Sequence, residues 1–224
     1  MKSLHQQNMK YKLVIFDFDG TIADTSPGIL DSHRFALETM KHDIPSEKAL
    51  REAIGGNLLQ TYIMKFGFEE EKAREAVKIY RNRYSQVGIH MAVLYPGFES
   101  MLQKLKESGV MIGVATLKAD RFAKVMLEEL GISQYFDAVC GMDEYDKMTK
   151  SDLIKKCCGD CKISEADTVL IGDSNNDLHG AVEAGVEFVA VTYGFGFRKD
   201  EQYNFLSADS TAEVYQIICE ENRQ

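Results

Sequence analysis

An α/β fold, a doubly wound parallel sheet with a helical block inserted after its first strand, is what this sequence predicts. Three observations carry that reading. From Leu94 onward, short strand-like apolar runs alternate with helix-like ones, the rhythm of a parallel sheet with helical crossovers. A further apolar run, Leu13-Val14-Ile15-Phe16, stands apart near the start of the chain. Between the two lies a stretch with no short β-branched run, where apolar residues recur at helical spacing.

Each element follows in order. Leu13 to Phe16 reads as a buried strand, because an unbroken apolar run suits a sheet covered on both faces. Three helical stripes come next: Ile29, His33, Ala36, Leu37 and Met40; then Leu58, Leu59, Tyr62, Ile63 and Phe66; then Ala73, Ala76, Val77, Tyr80, Tyr84 and Val87. Pro27 and Pro96 stand near the ends of this block, which spans residues 26–92, leaving 1–25 and 93–224 as the core. The core resumes with a helix from Phe98 to Glu107, a strand from Met111 to Ala115 and a helix from Arg121 to Leu130. It continues with a strand from Ala138 to Cys140, a helix from Lys150 to Cys158 and a strand from Thr168 to Ile171. A helix from Leu178 to Ala184 and a strand from Phe188 to Val191 complete the alternation.

A chain of 224 residues buries roughly 70% of its unfolded surface, enough for one large core with an insertion. Five cysteines, an odd number at this length, fit a reduced, cytoplasmic protein better than a disulfide framework. No basic-plus-apolar leader precedes the first strand, and no apolar stretch approaches the roughly 20 residues that span a bilayer. A formal charge of −9 argues against nucleic acid and membrane surfaces as partners, since both call for a basic face. An anionic substrate must then be drawn by a local positive site.

The first strand stops at Asp17-Phe18-Asp19-Gly20-Thr21, two carboxylates one residue apart followed by a glycine that lets the backbone turn away. The bland reading is a strand end with an Asp-Gly turn. A second strand, Val169-Leu170-Ile171-Gly172, ends in Asp173 and, four residues on, Asp177. Between them the strand ending at Ala115 runs into the hydroxyl of Thr116, and Lys150 opens a helix with the wording Thr-Lys-Ser-Asp-Leu-Ile. Open α/β sheets place their ligands at such C-terminal strand ends.

In order, D-x-D, Thr, Lys and D-x-x-x-D resemble the four motifs of the haloacid dehalogenase superfamily. The wording Asp-Gly-Thr-Ile-Ala-Asp-Thr is similar to that of its phosphoglycolate phosphatase-like branch. The resemblance covers nearly the whole chain, including Tyr95-Pro96-Gly97-Phe98, Gly131-Ile132-Ser133-Gln134-Tyr135-Phe136-Asp137 and Thr192-Tyr193-Gly194-Phe195-Gly196. It implies a Rossmann-like core with an α-helical cap over the end that carries the first motif. It also implies Asp17 as nucleophile, Asp19 as general acid and base, and Asp173 as a metal ligand beside Asp17 and the backbone carbonyl of Asp19. Four converging carboxylates with no clustered Cys or His favour a hard cation, Mg²⁺. Thr116 and Lys150 would bind the phosphoryl oxygens. Asp177 would support the metal through water or orient Lys150, and Thr21 would fasten the loop after Gly20.

The expected activity is hydrolysis of a small phosphorylated metabolite through an aspartyl-phosphate, by a monomer or homodimer, most like phosphoglycolate phosphatase. Nucleotidase, sugar-phosphate phosphatase, pyrophosphatase and a phosphomutase resembling β-phosphoglucomutase are the alternatives. A phosphoacceptor signalling protein is the non-enzymatic one, though receiver domains lack the insertion and the second pair of aspartates. Two departures from the family wording stand out: Leu117 where relatives often carry asparagine, and Thr149-Lys150-Ser151 where Lys-Pro is commoner, which keeps Lys147 as a competing candidate. Lys118 either joins the site or faces solvent. Arg51, Gly55, Gly56 and Asn57 form either a cap loop that inspects the leaving group or a plain helix-to-helix turn. Cys157, Cys158 and Cys161 form a C-C-x-x-C cluster, but a zinc site would want further ligands nearby, and Cys157 and Cys158 read as the core-facing end of a helix.

Overall fold

The computed structural model describes residues 9–55, 57–143 and 147–219, so Gly56 lies outside the described residues. The chain separates into two compact units, Asp24–Val93 and the remainder. It passes between them through two short strands, β2 (Ala23–Asp24) and β3 (Val93–Leu94), which pair with one another.

The larger unit is built on β1 (Leu13–Phe16), β4 (Met111–Ala119), β5 (Ala138–Met142), β6 (Thr168–Gly172), β7 (Glu187–Val191) and β8 (Leu206–Ala208). They lie in the order β5-β4-β1-β6-β7-β8, and every neighbouring pair is parallel. β1 is fully buried because its side chains alternate between two covered faces. Leu13 and Ile15 pack into a cluster with Leu153, Ile154 and Cys157 of α7 (Lys150–Cys161) and Ala181 of α8 (Asn175–Ala184). Phe16, pointing the other way, meets the ring of Phe98 edge-on at 5.1 Å on α5 (Phe98–Glu107), which packs beside α9 (Thr211–Ile218). A crossover helix, α6 (Asp120–Glu129), joins β4 to β5. β8 and α9 were not anticipated, because Leu206-Ser207-Ala208 is a three-residue edge strand with two exposed positions and no β-branched residue.

The cysteines are part of this packing. Cys140, Cys157, Cys158 and Cys161 are buried free thiols in the same cluster, and a Cβ on Gly113 would lie 2.2 Å from Cys157 Sγ. The grouping of metal-ligating side chains found among the described residues is a set of aspartates, not these thiols.

The smaller unit is helical: α1 (Ser26–Thr39), α2 (Glu47–Arg51), α3 (Leu58–Gln60) and α4 (Glu70–Gln86). Its stripes bury Ile29, His33, Ala36 and Leu37 against Tyr62, Phe66, Ala73, Ala76, Tyr80 and Tyr84. The second stripe is not one regular helix, since α3 widens into a π-helical turn over Thr61–Lys65. Among the described residues, no helix is long and apolar enough to cross a membrane.

One close approach holds this unit together. A Cβ on Gly28 would sit 2.1 Å from the carbonyl oxygen of Gly88, a backbone atom that cannot swing aside. Gly28→Ala is therefore expected to lower stability by about 2–3 kcal/mol in urea unfolding, despite alanine's better helix propensity. Gly159→Ala, inside α7 with nothing within 4 Å of the added carbon, is expected to raise it by up to about 1 kcal/mol. Equal effects at the two sites would show that the contact does not govern the packing.

Candidate active site

The C-terminal ends of β1, β4 and β6 lie side by side in the sheet, and the chain leaves each of them into a loop carrying polar side chains. Asp17 follows β1 directly, and its backbone amide still donates to Ile171 of β6 at 2.9 Å, so its position is set by the sheet itself. Asp173 follows β6, and Asp177 stands in the first turn of α8. Asp17, Asp173 and Asp177 are all buried, each with a carboxylate oxygen within 4.8 Å of the others.

Lys150 lies among these acids. Its Nζ is 2.5 Å from Asp17 Oδ1 and 2.6 Å from Asp177 Oδ1. It occupies the first position of α7, a poor place for a cation beside the positive end of a helix, so the two carboxylates must hold it there. The start of α7 is fixed by Thr149, whose N–H and hydroxyl both donate to Asp152 Oδ2 at 2.9 Å. Gly180 on α8 makes room, since a Cβ there would lie 2.5 Å from Lys150 Cγ. Lys147 is exposed, with its backbone amide donating to Asp143 Oδ1 at 3.3 Å.

Asp177 is doubly used. Its Oδ2 accepts from Ser174 N–H at 3.0 Å and from the Ser174 hydroxyl at 2.6 Å, capping α8, while Oδ1 faces Lys150. The contact with Lys150 fits the orienting role expected for it, and its place in the buried trio fits the metal-supporting one. Asp173 is held by backbone: its Oδ2 accepts from Phe195 N–H at 2.6 Å and Gly196 N–H at 3.3 Å. Gly20, at φ +85°, passes so close that a Cβ would fall 2.2 Å from Asp173 Oδ2.

The electrostatics follow from burial. Loss of water pushes the Asp17 carboxyl up to about 7; Lys150 opposes the shift, and the charges of Asp177 and Asp19 add to it. Burial, then Asp17 and Asp177, push Asp173 up to about 8 against the two amides. Burial disfavours the charge on Lys150, but the two carboxylates outweigh it and hold its ammonium above the usual lysine range. The cluster is thus short of positive charge. Three buried oxygen ligands fit a hard divalent cation, which would let Asp17 and Asp173 ionise.

Thr116 is buried, and its Oγ1 accepts from Lys118 N–H at 3.2 Å, leaving the hydroxyl proton to donate elsewhere. β4 does not stop at Ala115 as expected but runs on to Ala119 through an irregularity. Asp19 is partly exposed, and Lys118 Nζ lies 3.1 Å from its Oδ1. Its side chain is outside the buried trio; the family pattern calls on its carbonyl instead. Thr21 is buried, with Tyr193 donating to its carbonyl at 3.2 Å.

The remaining candidates belong to the other unit and have local roles there. Arg51 pairs with Glu47 one turn back at 3.2 Å, Gly55 turns at φ +81°, and Asn57 caps α3 by accepting from Gln60 N–H at 3.1 Å. Sequence reasoning missed the Phe195 and Gly196 amides, Ser174 and Gly180. The Gly-x-Gly spacing just after β7 was the available signal for the first two.

Residues 14–191 match a family model described as haloacid dehalogenase-like hydrolase. A 5′-nucleotidase of Pseudomonas aeruginosa is 33% identical over 189 residues, covering 84% of this chain and 86% of that one. A phosphoglycolate phosphatase of Psychrobacter arcticus is 30% identical, over 86% of this chain and 88% of its own. The crystal structure of a predicted phosphatase from Clostridium acetobutylicum superposes with a TM-score of 0.83 at 32% identity, covering 93% and 98% of the two chains.

Proposed function

The chain belongs to the haloacid dehalogenase-like hydrolase family, and from that membership we propose a Mg²⁺-dependent phosphatase of small phosphate monoesters that works through an aspartyl-phosphate on Asp17. The observation that carries the reading is the buried trio Asp17, Asp173 and Asp177 with Lys150 Nζ set between two of its members. Asp17 and Asp173, with the carbonyl of Asp19, would hold the ion. When bound, the ion neutralises the carboxylates and draws charge from the phosphoryl oxygens.

The chain's own groups then divide the work. The substrate's phosphoryl oxygens take the hydroxyl proton of Thr116 and the ammonium of Lys150 as donors. The Asp17 carboxylate attacks phosphorus in line; the bond to the ester oxygen breaks, and Asp19 gives that oxygen its proton. Asp19, now a carboxylate, takes a proton from the water that attacks the aspartyl-phosphate, and inorganic phosphate leaves. Phosphate-ester hydrolysis is slow enough that enhancements reach ~10²¹-fold, about 29 kcal/mol, of which proton transfer supplies only roughly 3–5. Most of the acceleration therefore falls to positioning and to opposite charge around the phosphoryl group.

Phosphoglycolate is the first substrate to try, and the inserted helical unit is read as the family's cap. Likeness to the 5′-nucleotidase, the higher in identity of the two curated relatives above, favours nucleoside monophosphates as the second. The test is phosphate release with Mg²⁺ from phosphoglycolate, nucleoside monophosphates, sugar phosphates, pyrophosphate and 4-nitrophenyl phosphate. Release that stops with EDTA and returns with Mg²⁺ is expected. No release from any of them, with a stable phosphoryl group found on Asp17 instead, would replace the phosphatase with a phosphoacceptor.

A further inference from the structure

The irregular end of β4 has a purpose that its sequence does not advertise. Ala115 stands opposite Cys140 of β5 and Ala119 opposite Met142, so four steps along β4 span only two along β5. Extra residues in one strand re-aim the side chains they carry. Leu117 is turned outward, 41% exposed, while the side chain of Lys118 is turned in and only 6% exposed. Gly141 permits this, because a Cβ there would lie 2.8 Å from the Lys118 carbonyl and 2.4 Å from Asp120 Cα. The Lys118 backbone is held from two sides, by Gly141's close approach and by its own N–H donating to Thr116 Oγ1 at 3.2 Å.

Its ammonium ends 5.7 Å from the centre of the buried Phe18 ring and 3.1 Å from Asp19 Oδ1. That oxygen is shielded from solvent and accepts no hydrogen bond among the described residues, so charge, not a directed bond, fixes it. The Asp19 side chain is nevertheless 26% exposed, and the exposed part is therefore not Oδ1. We propose that Lys118 is a positioning residue for Asp19: it pins Oδ1 inward and so presents Oδ2 as the oxygen that passes the proton to and from the reacting groups. This rests on the reading of Asp19 as the general acid.

The two ideas separate by leaving group. An aryl phosphate releases a stable phenolate that hardly needs a proton, whereas an alkyl phosphate must have its oxygen protonated as the bond breaks. The experiment compares kcat/KM for 4-nitrophenyl phosphate and for the best alkyl phosphate of the substrate panel, on the full chain with Mg²⁺. Lys118→Met, which keeps the stem and deletes the charge, is expected to lose on the order of 10²-fold on the alkyl ester and less than about threefold on the aryl one. Lys118→Arg should restore most of the loss, which a merely structural disturbance would not predict. Equal losses on both esters, or no loss, would overturn the role for Lys118. Asp19→Asn must show the same split, larger; without it the acid assignment itself fails and Lys118's role falls with it.

Discussion

Replacing Asp17 by asparagine is expected to lower turnover by a factor on the order of 10⁵ or more, the scale of losing a nucleophile, while leaving the fold at least as stable as before. Both halves follow from the same geometry. In the proposed reaction the carboxylate is the group that attacks phosphorus, and an amide of nearly equal size cannot replace it. Yet Asp17 is buried within a few ångströms of two other acids, and burial already pushes its carboxyl up to about 7. Removing that charge relieves the cluster, while Lys150 keeps its contact with Asp177 at 2.6 Å. The variant is to be assayed on the substrate panel and melted beside the parent at pH 8 without metal. Turnover within tenfold of the parent would remove Asp17 as the nucleophile; a large fall in melting temperature would show that its charge stabilises the fold.

Without metal, the protein is expected to lose stability as pH rises from 6.5 to about 8, and Mg²⁺ is expected to abolish that loss. An acid whose folded pKa lies above its unfolded value contributes most below the unfolded value, and its contribution is gone once pH passes the folded one. With Asp17 at about 7 and Asp173 at about 8, the folded state holds protons in this window that the unfolded chain has shed. The net difference is worth about 2 kcal/mol between pH 6.5 and 8, or a fall of roughly 4–8 °C in melting temperature. His33, pushed down to about 4 by burial, has an effect of opposite sign that falls mostly below this window, because the unfolded imidazole titrates near 6.5. A cation that binds the ionised cluster stabilises the folded state alone, so the Mg²⁺-induced rise should be larger at pH 8.5 than at 6.5. Asp17→Asn should flatten the metal-free profile by about half. A profile flat without metal, or a Mg²⁺ effect independent of pH, would mean that the buried acids are not what the cation meets.

The parts of this molecule that were legible in the sequence are those whose physics is local. Leu13-Val14-Ile15-Phe16 and Thr168-Val169-Leu170-Ile171 declare themselves as strands buried on both faces, and the α/β class follows. Lys150 stands out from Lys147 because Thr-Lys-Ser-Asp-Leu-Ile begins an amphipathic helix where the family pattern has its lysine, and it does occupy the first turn of α7. What stayed hidden depends on partners distant in the chain. The continuation of β4 through Leu117 and Lys118 needs Gly141 on another strand. Asp173's anchors, the Phe195 and Gly196 amides, are backbone groups marked in the sequence only by the glycines on either side of Phe195. Asp177 was expected near Lys150, but its second use, accepting from Ser174 to cap α8, was not.

The strand order also dictates when the site can exist at all. β1 leaves the ribosome before either of its neighbours in the sheet, since Leu13 sits opposite Met111 on one side and Thr168 on the other. Neither neighbour has been synthesised when β1 emerges, so at ~5–20 residues per second this apolar run spends many seconds without its sheet. The helical unit over Asp24–Val93 is continuous in the chain and free to fold in that interval. Asp17, made well before them, meets Asp173 and Asp177 only after β6 has docked. Nascent chains halted before Asp173 would hold the proposed nucleophile with nothing to act beside it, and competence for the proposed reaction arrives only with the closing of the sheet.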